Sequence, residues 1–124
     1  TNTWMVGPKT MEEHIIPCFE ASGNYSPEIV AGMPIVLTNN IDHAKESIGK
    51  SLAVYGQLPS YRAMLDREGA VGPADIAIIG DENKLGGEIK RLESLGVTDF
   101  NAAIMDVEDG AYNRTLEFLG SLRP

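Results

Sequence analysis

The chain has 124 residues, of which 43% are hydrophobic and 23% charged, the balance of an ordinary globular domain with a core of its own. Its 18 acidic and 10 basic residues leave a net charge of -8, which opposes phosphate backbones and argues against nucleic-acid binding. No apolar run reaches the roughly 20 residues of a membrane span, no basic and apolar leader opens the chain, and the single Cys18 permits no internal disulfide. Together these point to a cytoplasmic protein with no membrane partner.

In chain order, Thr3, Trp4, Met5 and Val6 favour a short strand that Gly7-Pro8 ends. Thr10 with Glu13 three residues on reads as a capping box for a helix from Met11 to Ala21, with Pro17 inside it as a kink and Gly23 as the stop. Glu28 to Asp42 is the central stretch. Ile29, Ala31, Met33, Ile35 and Leu37 fall on one alternating set and Val30 and Val36 on the other, as a strand buried on both faces requires. Pro34 interrupts it and predicts a bulge or one unpaired position.

Asn40 is placed to cap a second helix whose stripe is Ile41, Ala44, Ile48, Leu52 and Tyr55. Pro59 opens another, over Ser60 to Glu68, that Gly69 ends. Ala74 to Ile79 is ambiguous by periodicity, a buried strand or a short helix. Asp81 caps a helix carrying Leu85, Ile89 and Leu92, Val97 to Met105 forms the last strand, Asp106 to Gly110 is an acidic loop, and Ala111 to Leu119 is the closing helix. Strands alternating with helices indicate an α/β fold with parallel strands.

Ligands of such folds gather where strand carboxyl ends meet helix N-termini. The loop from Val6 to Thr10 joins a glycine, a cation at Lys9 and a hydroxyl at Thr10 to a helix start, which suits an anion. An ordinary turn with a surface lysine is the plainer reading, and the spacing is not that of a P-loop. Trp4 beside it can wall a flat ring or belong to the core. His14 and Cys18 share a helix face but lack further ligands for zinc, and Cys18 reads as a small buried hydrophobe. Glu108 and Asp109 offer acid-base or ligand chemistry, against the plainer reading of a solvated loop.

The segments T-W-M-V-G-P-K-T at 3–10, V-A-G-M-P at 30–34, V-Y-G-Q-L-P-S-Y-R-A-M-L-D-R-E-G at 54–69 and G-P-A-D-I-A-I-I-G-D-E at 72–82 resemble luciferase-like flavin or deazaflavin oxidoreductases, most of all the class dependent on coenzyme F-420. The family fold is a (β/α)8 TIM barrel of about 250 residues. The resemblance therefore implies that residues 1–124 are its C-terminal portion, a partial barrel of about three parallel strands with covering helices. It implies a short helix over Ala74 to Ile79, and a parent oxidoreductase or monooxygenase reaction with hydride transfer between a reduced deazaflavin (alternatively FMN) and an organic substrate. Trp4, Gly7, Pro8, Lys9 and Thr10 would belong to the cofactor rim. With the earlier strands absent, tight cofactor binding by this chain alone is not expected, and neither is activity. A half barrel kept as a non-catalytic assembly or binding module is the alternative. Open sheet edges, together with an inner face read as rich in Ile, Val, Met and Phe, predict a homo-oligomer.

Overall fold

A computed structural model describes residues 1–23 and 26–122. Four parallel strands form one sheet: β1 (Asn2–Trp4), β2 (Val30–Leu37), β3 (Ile78–Gly80) and β4 (Asp99–Ile104). The central stretch, β2, is the hub. Along one side of β2, β1 pairs with residues 30–32 and β3 with residues 35–37, end to end. Along the other side β4 pairs with residues 30–35. Pro34 falls in the gap between β1 and β3, where β2 has no neighbour to receive an N–H, and it keeps register with Ala103 on the other side. The expected unpaired position is therefore real, and no bulge is needed.

The helical expectation for Ala74 to Ile79 is corrected. A 3-10 turn covers Pro73–Asp75 and stops there, and Ile78–Gly80 are strand. Ile78 and Ile79 point to opposite faces of the sheet and both are buried, so an edge strand hides more apolar surface than a helix turn would. The first strand is also shorter than expected. Buried Met5 has φ of 57°, a left-handed conformation that bends the chain away after Trp4.

The first helical run is built in three pieces, α1 (Pro8–Thr10), a π-helical turn over Met11–Ile15, and α2 (Ile16–Ala21). The Ile16 N–H reaches back five residues to the Met11 carbonyl. That widened turn lies immediately before Pro17, whose ring would otherwise press on the carbonyl four residues earlier. The run starts at Gly7, so Thr10 is inside the helix and the expected Thr10–Glu13 capping box does not form. Gly23, at φ of 85°, ends it as expected.

The remaining helices are α3 (Ile41–Ser51), α4 (Pro59–Glu68), α5 (Glu82–Ser94) and α6 (Ala111–Ser121), with a 3-10 segment over Ala53–Gln57. Pro59 and the left-handed Gly69 bracket α4, and Asp81 caps α5 by accepting the Lys84 N–H at 2.8 Å. Ala31, Met33, Ile35 and Leu37 pack on one face against Met11, Leu85, Leu92 and partly buried Phe100 and Ile104. Val36 and Ile79 pack on the other against Ala44, Ile48, Val107 and Ala111. The larger apolar side chains of the sheet thus lie on the face that α2, α5 and α6 cover. The inner face carries Gly32 and Pro34 with Asn101 and Ala103 in register beside them. Val36 and Ile79 share this face but are covered by Ala44, Ile48 and Ala111, which corrects the expectation of an open inner face rich in Ile, Val, Met and Phe.

Candidate functional site

Two patches form at the carboxyl ends of the strands. The first surrounds β1 and the start of α1. Trp4 is half-buried and closes an aromatic row: its ring meets Tyr55 edge-on at 6.3 Å, and Tyr55 meets Tyr61 at 5.0 Å. A Cβ at Gly32 would come within 3.2 Å of the indole and 2.9 Å of the Thr3 carbonyl, so only glycine lets both lie close over β2. Gly7 is buried, Pro8 sits at the first helical position, Lys9 is exposed and Thr10 is buried.

The donors of this helix start are already engaged. The Glu68 carboxylate, from the last turn of α4, accepts the Lys9 N–H at 3.2 Å, the Thr10 N–H, and the Thr10 hydroxyl at 2.7 Å. A Cβ at Gly7 would collide with that carboxylate. The combination read from sequence as suited to an anion does hold one, and it is internal. Trp4, Gly7, Pro8, Lys9 and Thr10 are thus brought together, but a phosphate meets backbone donors there only if Glu68 leaves.

The second patch is a cleft of about 580 Å³ at the ends of β2 and β4, lined by Thr38, Asn39, Asn40, Asp81, Glu108 and Arg114 among others. The Thr38 hydroxyl donates to Glu108, and the Asn40 N–H donates to the Thr38 oxygen at 3.1 Å. Arg114 ties the patch to the sheet: its Nε donates to the Leu37 carbonyl at 2.9 Å while Nη2 meets Glu108 at 3.3 Å. Beneath it the buried Thr115 hydroxyl accepts the Leu37 N–H at 2.9 Å and donates to the Ala111 carbonyl at 2.7 Å. Asp81 and Glu82 add negative charge, so the cleft favours a neutral or cationic group over an anion. Glu108, one of the acids considered from sequence, is paired here, while Asp109 is exposed.

His14 and Cys18 lie exposed on the first helical run, so the reading of Cys18 as a buried hydrophobe is corrected. Among the described residues no three His, Cys, Asp or Glu side chains gather as a metal site, and no helix is long and apolar enough to cross a membrane. Thr38 opens a strand-end loop, Thr38 to Asp42, that the strand-to-helix alternation marks, whereas Glu68, Arg114 and Thr115 carry no such mark in the sequence. Each acts on a residue 58 to 78 positions away, or on its own helix, and no local pattern marks such a partnership.

Comparison with protein-family models and with curated protein sequences finds no match. Among solved structures, an F420-dependent secondary alcohol dehydrogenase in complex with an F420-acetone adduct is similar over 99% of this chain, with a TM-score of 0.65 and 18% identity. The chain spans 42% of that protein's length. The likeness establishes the fold: a parallel α/β unit matching part of a TIM-barrel enzyme.

Proposed function

We propose that this chain is the C-terminal portion of a luciferase-like oxidoreductase barrel, whose whole form transfers a hydride between a reduced deazaflavin, coenzyme F-420, or FMN, and an organic substrate. The observation that carries this reading is the shared fold with an F420-dependent alcohol dehydrogenase over 99% of the chain. The cofactor supplies the hydride chemistry, and the protein binds and orients it. In this reading Trp4 walls the flat ring system, with Tyr55 holding the indole edge-on.

The rim residues fit such a cofactor only in part. Gly7, Pro8, Lys9 and Thr10 border the same strand end, but Glu68 occupies the donors an anionic tail would use. The neighbouring cleft is predominantly acidic. Flavin-type ligands also need most of their surface enclosed, and this chain spans 42% of the similar enzyme. The chain by itself is therefore a weak binder with no turnover. The engagement of Glu68 favours a second reading, a half barrel that works as a non-catalytic module.

Trp4 is the only tryptophan, so its fluorescence reports directly on the rim. Titration with F-420 and with FMN should give saturable quenching with a dissociation constant well above micromolar. Absence of saturable quenching with both cofactors would favour the module. A submicromolar constant would contradict the weak-binder account.

A further inference from the structure

We infer that Trp4, Tyr55 and Tyr61 form a relay that carries an oxidising equivalent from the end of β1 to the surface helix α4, with or without a cofactor bound. The rings come from three separate elements, β1, the 3-10 segment over Ala53–Gln57 and α4. Their centroids are 6.3 Å and 5.0 Å apart, and their planes meet at 66° and 75°. Such edge contacts leave no layer of solvent or saturated chain for an electron to cross. Transfer along the row therefore outpaces reaction with a second molecule.

The order of the rings sets the direction. An indole gives up an electron without losing a proton in the same step, so Trp4, the only tryptophan, is the entry. A phenol holds the radical more stably at neutral pH, so the step from Trp4 to Tyr55 runs downhill. Tyr55 and Tyr61 are half-buried, and no described residue bonds to either hydroxyl, which leaves water to take their protons. Met5 follows Trp4 in the chain and is wholly buried. A sulfoxide there would set a polar group in the core, and the relay draws the oxidising equivalent the other way.

A one-electron oxidant, an inorganic radical or an excited ring, takes an electron from Trp4, and the indole N–H gives its proton to water. The indolyl radical then takes an electron from Tyr55 and a proton from water, which restores tryptophan. In the same exchange the Tyr55 hydroxyl gives its proton to water and becomes a phenoxyl radical. A like exchange between the two phenols shares the radical with Tyr61 at no net driving force. A soluble reductant of the ascorbate class supplies one electron and one proton to Tyr61, and the chain returns to its starting state.

Pulse radiolysis in azide solution makes azide radicals, which oxidise indole rings preferentially. The indolyl absorption of Trp4 should then decay as the tyrosyl band grows, in a first-order process whose rate does not depend on protein concentration. Tyr55→Phe keeps the ring contact and removes the phenol that holds the radical, and should slow that decay at least tenfold. Tyr112→Phe, on α6 and outside the row, should leave it unchanged. Tyr61→Phe should leave the first step unchanged and slow reduction of the tyrosyl radical by ascorbate at least threefold. The hydroxyls removed at Tyr55 and Tyr61 have no partner among the described residues, so these isosteric variants keep the fold. Second-order indolyl decay in the wild type, or decay as fast in Tyr55→Phe as in wild type, would overturn the relay. Equal reduction by ascorbate in Tyr61→Phe and wild type would overturn the exit through Tyr61, and with it the proposal.

Discussion

Replacing Glu68 by alanine tests whether the internal carboxylate holds the start of α1 to the end of α4. The wild-type carboxylate receives two backbone N–H groups and the Thr10 hydroxyl. Thr10 is 2% exposed, so its N–H and hydroxyl lose their partner in a place water reaches poorly. Hydrogen bonds to a charged group contribute about 1.5–3 kcal/mol each when buried. The Lys9 bond is exposed and contributes little. Water entering the space left by the side chain recovers part of the loss, which places Glu68→Ala at about 2–3 kcal/mol. Glu68→Gln keeps an acceptor and loses the charge that faces the helix start, a cost of about 1 kcal/mol. For a chain of this size about 3–5 °C of melting temperature accompanies each kcal/mol. Urea unfolding followed by circular dichroism, with thermal melts beside it, measures both variants. An alanine variant within about 0.5 kcal/mol of wild type, the range of ordinary surface changes, would show that the carboxylate does not hold α1 to α4.

Other substitutions probe the sheet. Thr115→Val leaves the buried Leu37 N–H without its acceptor and should cost about 1–3 kcal/mol, whereas Thr115→Ser keeps both bonds and should cost clearly less in the same urea assay. Ile35→Ala empties a fully buried position on the larger core face and should cost about 2–5 kcal/mol. Gly32→Ala forces β1 away from β2, because its Cβ meets the Thr3 carbonyl at 2.9 Å, and should destabilise by about 1–3 kcal/mol. It should also red-shift the Trp4 emission as the indole is displaced into water, and an unchanged spectrum would contradict the close packing.

The elements marked by local chemistry were legible in the sequence. The double-faced alternation of residues 29–37 gave the central strand. Pro59 with Gly69, the Asp81 cap and Gly23 gave helix limits close to those observed, because each acts within a few residues of itself. What failed depends on tertiary neighbours. Ile78–Gly80 is too short to show a period, and its strand conformation comes from the carboxyl end of β2. Local spacing marks Thr10 as a cap, whereas the distant Glu68 engages its hydroxyl. The apolar alternation of β2 established that both faces are buried but not which neighbours cover each. The face of large side chains is the one beneath α2, α5 and α6.

We propose above that this chain carries part of the carboxyl-end rim of an oxidoreductase barrel. Amide shift mapping by NMR during addition of F-420 addresses it residue by residue. Weak, saturable shifts are expected at Trp4, Gly7 and the neighbouring Thr38–Asn40 segment, with Glu28 and Thr98 at the amino ends of the strands unaffected. Shifts centred on Glu28 and Thr98, or no saturable shifts at any amide, would contradict it.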